Sequence, residues 1–125
     1  MINNIEITSC INKINKKLLS NRISVALFSF GLNEFYVAFK YLKSILIYTF
    51  NKNNISKTSI KNAILEISKI YKVTDRTILM AISKLYKNLP SDFFTSSLNF
   101  VKMKMNCYLK TEFIAKKVLK ELQKY

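Results

Sequence analysis

Apolar residues recur along this chain with a helical period, and strict two-residue alternation is missing over any useful length. The pattern predicts an all-α fold. Ile7, Ile11, Ile14 and Leu18, spaced four, three and four apart, outline a first helix that Ser20-Asn21 is expected to interrupt. A short helix through Val25, Leu27, Phe28 and Phe30 should follow and stop at Gly31, the residue best able to take positive φ past a helix end. Asn33 is the expected cap of the next helix. From Glu34 to about Phe50, the positions Phe35, Ala38, Phe39, Leu42, Ile45, Leu46 and Thr49 form one broad stripe with Lys40 and Lys43 outside it. That stripe marks the core helix.

Asn51-Lys52-Asn53-Asn54 breaks the pattern as a loop, since Asn side chains compete with helical bonding. The period resumes with Thr58 or Ser59 as a cap and Ile60, Ala63, Ile64, Ile67 and Ile70 on one face. After Lys72-Val73-Thr74, Thr74 caps a helix that turns Ile78, Ala81, Ile82 and Leu85 inward and ends near Asn88, because Pro90 disfavours helical geometry before it. Ser91 or Asp92 should open a sixth helix with Phe94, Leu98, Val101 and Met105 inward, and a seventh should begin near Thr111. The expectation is one compact domain over residues 1–125, with six to seven helices and no internal repeat.

The segment from Ile67 to Ile78 has the anatomy of a helix-turn-helix, spanning about residues 58–88 with its flanking helices. Ser68 is small where the helices would cross, Lys72 occupies the tight turn, Val73 plugs between the helices and Thr74 caps the second. Any helical hairpin of a bundle could share these features, so the outward face of the second helix decides the reading. Arg76, Thr77, Met80, Ser83 and Lys84 lie there and are the candidate base contacts, with Leu79 a further candidate for a thymine methyl. Lys57, Thr58, Lys61, Lys72, Thr74 and Lys87 are the candidate phosphate contacts, which position a protein without reading sequence.

Composition favours that reading and excludes others. There are 21 Lys plus Arg against 7 Asp plus Glu, a formal net charge of +14. Such an excess of one sign attracts polyanions. A bias toward Lys, Asn and Ile is also what AT-rich coding sequence produces, so local arrangement matters more than the total. Residues 51–89 hold eight basic and two acidic residues, more one-sided than either flank. Lys116, Lys117, Lys120 and Lys124 on the last helix read as a solvated face, because long Lys stems cover apolar surface. The 16 Phe and Tyr residues fall mostly at core spacing. One glycine cannot build a phosphate-cradling loop, and without histidine there is no imidazole relay or metal ligand. Cys10 and Cys107 cannot complete a zinc site, and the carboxylates Glu34, Glu66, Asp75, Asp92 and Glu112 form no local pair. No catalytic role, cofactor or metal is expected. Two distant cysteines fit a reducing cytoplasm without a disulfide. No signal peptide is expected, and Glu34, Lys40 and Lys43 interrupt the apolar stretch over residues 23–50, so no membrane span is expected either.

These residues also carry a family likeness. Over residues 27–89 the chain resembles the C-terminal DNA-binding effector domain of the sporulation master response regulator of endospore-forming bacteria. Gly31, Tyr41-Leu42-Lys43, Ile67-Ser68-Lys69-Ile70-Tyr71, Thr74 and Ala81-Ile82 carry the likeness, and Thr111-Glu112-Phe113-Ile114-Ala115 matches the start of the family's last helix. The resemblance implies a roughly six-helix fold whose helix-turn-helix enters the major groove, with subunits in tandem through helical contacts. Where the family reads bases with arginines and a glutamate, this chain has Thr77, Leu79, Met80 and Ser83, and Arg76 replaces a small polar residue. A receiver domain is not expected, nor switching by aspartyl phosphate.

The expected function is therefore a stand-alone, sequence-preferring double-stranded DNA-binding protein, a sporulation-type transcriptional regulator or an accessory factor. Two alternatives stand beside it. One is a recombination directionality factor of a mobile element; the other is a protein-interaction module that modulates a related regulator through Leu79 and Met80. Expected partners are double-stranded DNA, a second copy of the chain, and RNA polymerase, a recombinase or a related regulator.

Overall fold

The computed structural model describes residues 16–34, 36–90, 92–94 and 106–124. Among them are five helices and no strand: α1 (Lys16–Ser29), α2 (Val37–Asn51), α3 (Lys57–Tyr71), α4 (Asp75–Tyr86) and α5 (Cys107–Gln123). The all-helical expectation holds, with five described helices in place of six or seven. The expected helical positions Ile7, Ile11, Ile14, Phe35, Ser91, Leu98, Val101 and Met105 lie outside the described residues.

The expected break at Ser20-Asn21 does not occur, and the first two expected helices are continuous where described. Leu19, Ile23, Ala26 and Leu27 are buried on one side of α1. Helix propensity sets Ser and Asn only about 0.5–0.7 kcal/mol below Ala, whereas burying a Leu or Ile side chain contributes about 1.5–3 kcal/mol. Burial therefore carries the helix through. Gly31 ends it as expected, at φ 95°, with its N–H donating to the Phe28 carbonyl at 2.9 Å.

The α2 stripe is buried at Ala38, Phe39, Leu42, Ile45, Leu46 and Thr49, joined by Tyr41 and Phe50. Its N-cap is Tyr36, which makes no side-chain capping bond, and not Asn33. α3 begins at the Ser56 cap, two to three residues before the expected Thr58 or Ser59. The Ser56 Oγ accepts from the Ser59 N–H at 3.1 Å, while the Ser59 hydroxyl donates back to the Asn54 carbonyl at 2.8 Å. Ile60, Ala63, Ile64 and Ile67 are buried, but Ile70 is 69% exposed. The last turn of α3 is fastened by Tyr71 instead. Its ring packs edge-on to Tyr41 at 5.1 Å and its hydroxyl lies 3.1 Å from that of Ser44.

α5 starts four residues earlier than expected, at an Asn106 cap that accepts from the Leu109 N–H at 2.9 Å. Thr111 is thus an interior residue, and its hydroxyl donates to the Cys107 carbonyl at 2.8 Å. Being committed as a donor there, it accepts from the buried Tyr86 hydroxyl at 2.6 Å. This chain of bonds pins α4 to α5. α2 and α5 each touch α1, α3 and α4.

Candidate nucleic-acid interface

The connection from α3 to α4 is three residues long. Lys72 ends α3 in the left-handed region at φ 56° and ψ 42°, as a tight turn there requires. The N–H groups of Lys72 and Val73 both reach the Ser68 carbonyl, and the half-buried Val73 packs against the core. Thr74 then caps α4, its Oγ1 accepting from the Thr77 N–H at 3.1 Å. Asp75 accepts from the Arg76 N–H at 2.9 Å. These local bonds fix where α4 starts and which way its side chains turn.

Ile78, Ile82, Leu85 and Tyr86 are buried, and Ala81 is half-buried, so α4 presents one narrow outer arc. Arg76, Thr77, Met80, Lys84 and Lys87 are exposed along it, with Met80 at 52%. Thr77 is partly engaged already, its hydroxyl lying 2.8 Å from that of Thr74. Ser83 is half-buried at one edge of the arc, on the side of the Cys107 thiol. Leu79 is also half-buried and packs against the core. Lys57, Thr58, Lys61, Lys72 and Thr74 are exposed.

Neighbours distinguish most of these cations from most of those on α5. Among the described residues, Lys57, Lys72, Arg76, Lys84 and Lys87 take part in none of the ion pairs. Lys61 lies over the Tyr108 ring at 5.2 Å. On α5, Lys116 pairs with Glu112 at 3.5 Å and Lys124 with Glu121 at 2.9 Å. Lys117 sits 4.7 Å over Phe93 and 5.3 Å over Phe113, and Lys110 lies 5.3 Å over Phe94. α5 lysines thus cover a cluster of aromatic rings, in keeping with the solvated-face reading.

Two flanks of α4 were invisible to helical periodicity. At one edge the start of α5 closes in, with the Cys107 Sγ 3.9 Å from the Leu79 carbonyl. At the other, Tyr36, Val37 and Ala38 face Ala81, Lys84, Leu85 and Asn88 across an open groove of about 390 Å³. Burial pushes the Cys107 thiol upward, opposed by hydrogen bonds from Ser83 and Thr111 and by the nearby Lys110 charge. Such a thiol is a poor nucleophile.

Among the described residues no group of His, Cys, Asp and Glu could hold a metal ion, and no helix is long and apolar enough to cross a membrane. No protein-family model, curated protein or solved structure matches this chain.

Proposed function

We propose that the protein binds double-stranded DNA by laying α4 in the major groove, with α3, the turn and α4 acting as a helix-turn-helix. The observation that carries this reading is the outer arc of α4, where Arg76, Lys84 and Lys87 stand exposed without a carboxylate partner among the described residues. Arg76 is the strongest base reader of the set, able to address guanine O6 and N7 together. Thr77 and Met80 supply a hydroxyl and an apolar contact beside it. Lys57, Lys61, Lys72 and Lys87 would hold phosphates.

The role we favour is that of a sporulation-type transcriptional regulator or DNA-binding accessory factor, in line with the resemblance over residues 27–89. A recombination factor would use the same face, and genomic occupancy at promoters or at attachment sites separates the two. The alternative of a protein-interaction surface built on Leu79 and Met80 is weakened by Leu79, which packs against the core and leaves Met80 alone.

Selection of bound sequences from a random duplex pool tests the proposal. Wild type should enrich a defined site, and Arg76→Ala should lose preference at one position while losing about 1–3 kcal/mol of binding to that site. Unchanged affinity and unchanged preference in Arg76→Ala would remove α4 from the interface.

A further inference from the structure

The groove beside α4 has a specific occupant if the DNA-binding proposal holds. An α-helix with side chains is about 10–12 Å across and the major groove about 12 Å wide, so a helix lying in it has a sugar-phosphate backbone along each flank. The two flanks of α4 differ. The α5 side is filled by Cys107 against Leu79 and Ser83, whereas the α2 side is open. Tyr36 and Val37 are 53% and 59% exposed at its rim and lie side by side there. Lys84 and Asn88 form the opposite wall, and among the described residues no Asp or Glu lines it.

We infer that this groove seats one sugar-phosphate strand, with Lys84 held to a phosphate and Tyr36 and Val37 against deoxyribose. The chemistry is complementary on both counts: a cation and an amide for the charged oxygens, an apolar lip for the sugar carbons. The groove is continuous with the exposed arc of α4 through Lys84, which belongs to both. Lys84 thereby becomes a strand-positioning residue, in place of the base-contacting role its outward placement suggested. Tyr36 and Val37 enter the interface from the start of α2, far from the turn in sequence. An acidic protein segment could use the same groove, and duplex binding by groove variants separates the two.

The test rests on the DNA-binding proposal and uses the full chain on a short duplex carrying one selected site, so that self-association does not contribute. Val37→Glu places a negative charge in the groove. It should weaken binding by at least about tenfold on selected and random duplexes alike, since like charges across an interface repel strongly. Val25→Glu is the matched control, with the same substitution at the same exposure on α1. It should cost no more than about twofold, since Val25 does not line the groove. Lys84→Gln should lower the slope of log affinity against log salt by about 1 without changing the selected sequence. A neutral methylphosphonate at the contacted position should weaken wild type but not Lys84→Gln. Circular dichroism melts of all variants show whether the fold is kept, and Tyr36→Ala repeats the test without added charge.

A wild type that binds no duplex at physiological salt overturns both proposals. If wild type binds and Arg76→Ala loses preference while Val37→Glu and Tyr36→Ala behave like Val25→Glu, the groove inference alone fails. A change of base preference in Lys84→Gln also overturns it.

Discussion

α4 and α5 are both rich in cations, and they use them in opposite ways. Around α4, Lys72, Arg76, Lys84 and Lys87 are exposed and make no ion pair among the described residues. Along α5, Lys116 and Lys124 lean on glutamates one turn away, and Lys110 and Lys117 lie over the rings of Phe93, Phe94 and Phe113. A cation already facing a carboxylate or a ring offers less field to a polyanion than an unengaged one of the same formal charge. The net charge of +14 therefore overstates the surface free to attract a polyanion. α4 displays charge and α5 braces the helix that displays it.

Removing equal charge from each helix puts this contrast at most risk. Replacing Lys72, Arg76, Lys84 and Lys87 by Gln should lower the salt slope by about 3 to 4, because each phosphate left unneutralised keeps about 0.9 of a counterion that binding would otherwise release. Affinity for a selected duplex should fall at least about a hundredfold, with Arg76 alone accounting for about 1–3 kcal/mol. The same change at Lys110, Lys116, Lys117 and Lys124 removes the same formal charge. It should cost only a few-fold and leave the slope within about 1 unit. Equal losses from the two sets, read by fluorescence titration at several salt concentrations, would erase the distinction.

Bracing is tested by the buried bonds between the helices. The Tyr86 hydroxyl donates to Thr111, which donates onward to the Cys107 carbonyl. Thr111→Val keeps the volume and strands the phenol, so chemical denaturation should show a loss of about 1–3 kcal/mol. Tyr86→Phe removes the orphan with the bond and should cost only about 0.5–1.5 kcal/mol. Adding it to Thr111→Val should restore part of the loss. Burial also raises the Tyr86 phenol above its ordinary range. The folded chain then keeps that proton at a pH where the unfolded chain gives it up. This contribution is fully present below the unfolded pKa of about 10 and is lost as pH rises beyond it. Tyr86→Phe should flatten that alkaline decline. An unchanged decline would place its cause elsewhere.

The sequence pattern carried some of this and could not carry the rest. The α2 stripe was legible because its buried residues share one arc and Lys40 and Lys43 stay off it. Lys72 and Thr74 were legible because a positive-φ turn and a hydroxyl cap are local demands that act within four residues. The continuity of α1 was not, since Ser20 and Asn21 look like a break unless the burial of Leu19 and Ile23 is known. The α3 start was misplaced because Ser56, Thr58 and Ser59 can all cap, and only the loop carbonyl of Asn54 decides among them. Ile70 fits the α3 face by period yet stays outside, because Tyr71 packs against α2 in its place. The candidate interface divides the same way. Helical period alone placed Arg76, Met80, Lys84 and Lys87 outward. Ser83 and Leu79 lie on the side of α4 that meets Cys107, a residue outside their own helix.

The smallest expected effect comes from the turn, where display and stability act against each other on one residue. Lys72 holds a left-handed conformation that costs an L-residue about 1–2 kcal/mol, and glycine takes it without that strain. Glycine also gives up more freedom on folding, so Lys72→Gly should stabilise the protein by no more than about 1 kcal/mol, read as a higher melting temperature. The same variant has no cation to offer a phosphate at the turn, and its salt slope should drop by about 1. Opposite signs in the two measurements would mean that a lysine occupies a glycine's position for its charge. A stabilised variant with unaltered DNA binding would remove Lys72 from the interface. A destabilised one would mean that the lysine stem packs usefully at the turn despite its exposure. Wherever DNA binding is unaltered, the display role narrows to Arg76, Lys84 and Lys87 on α4 itself.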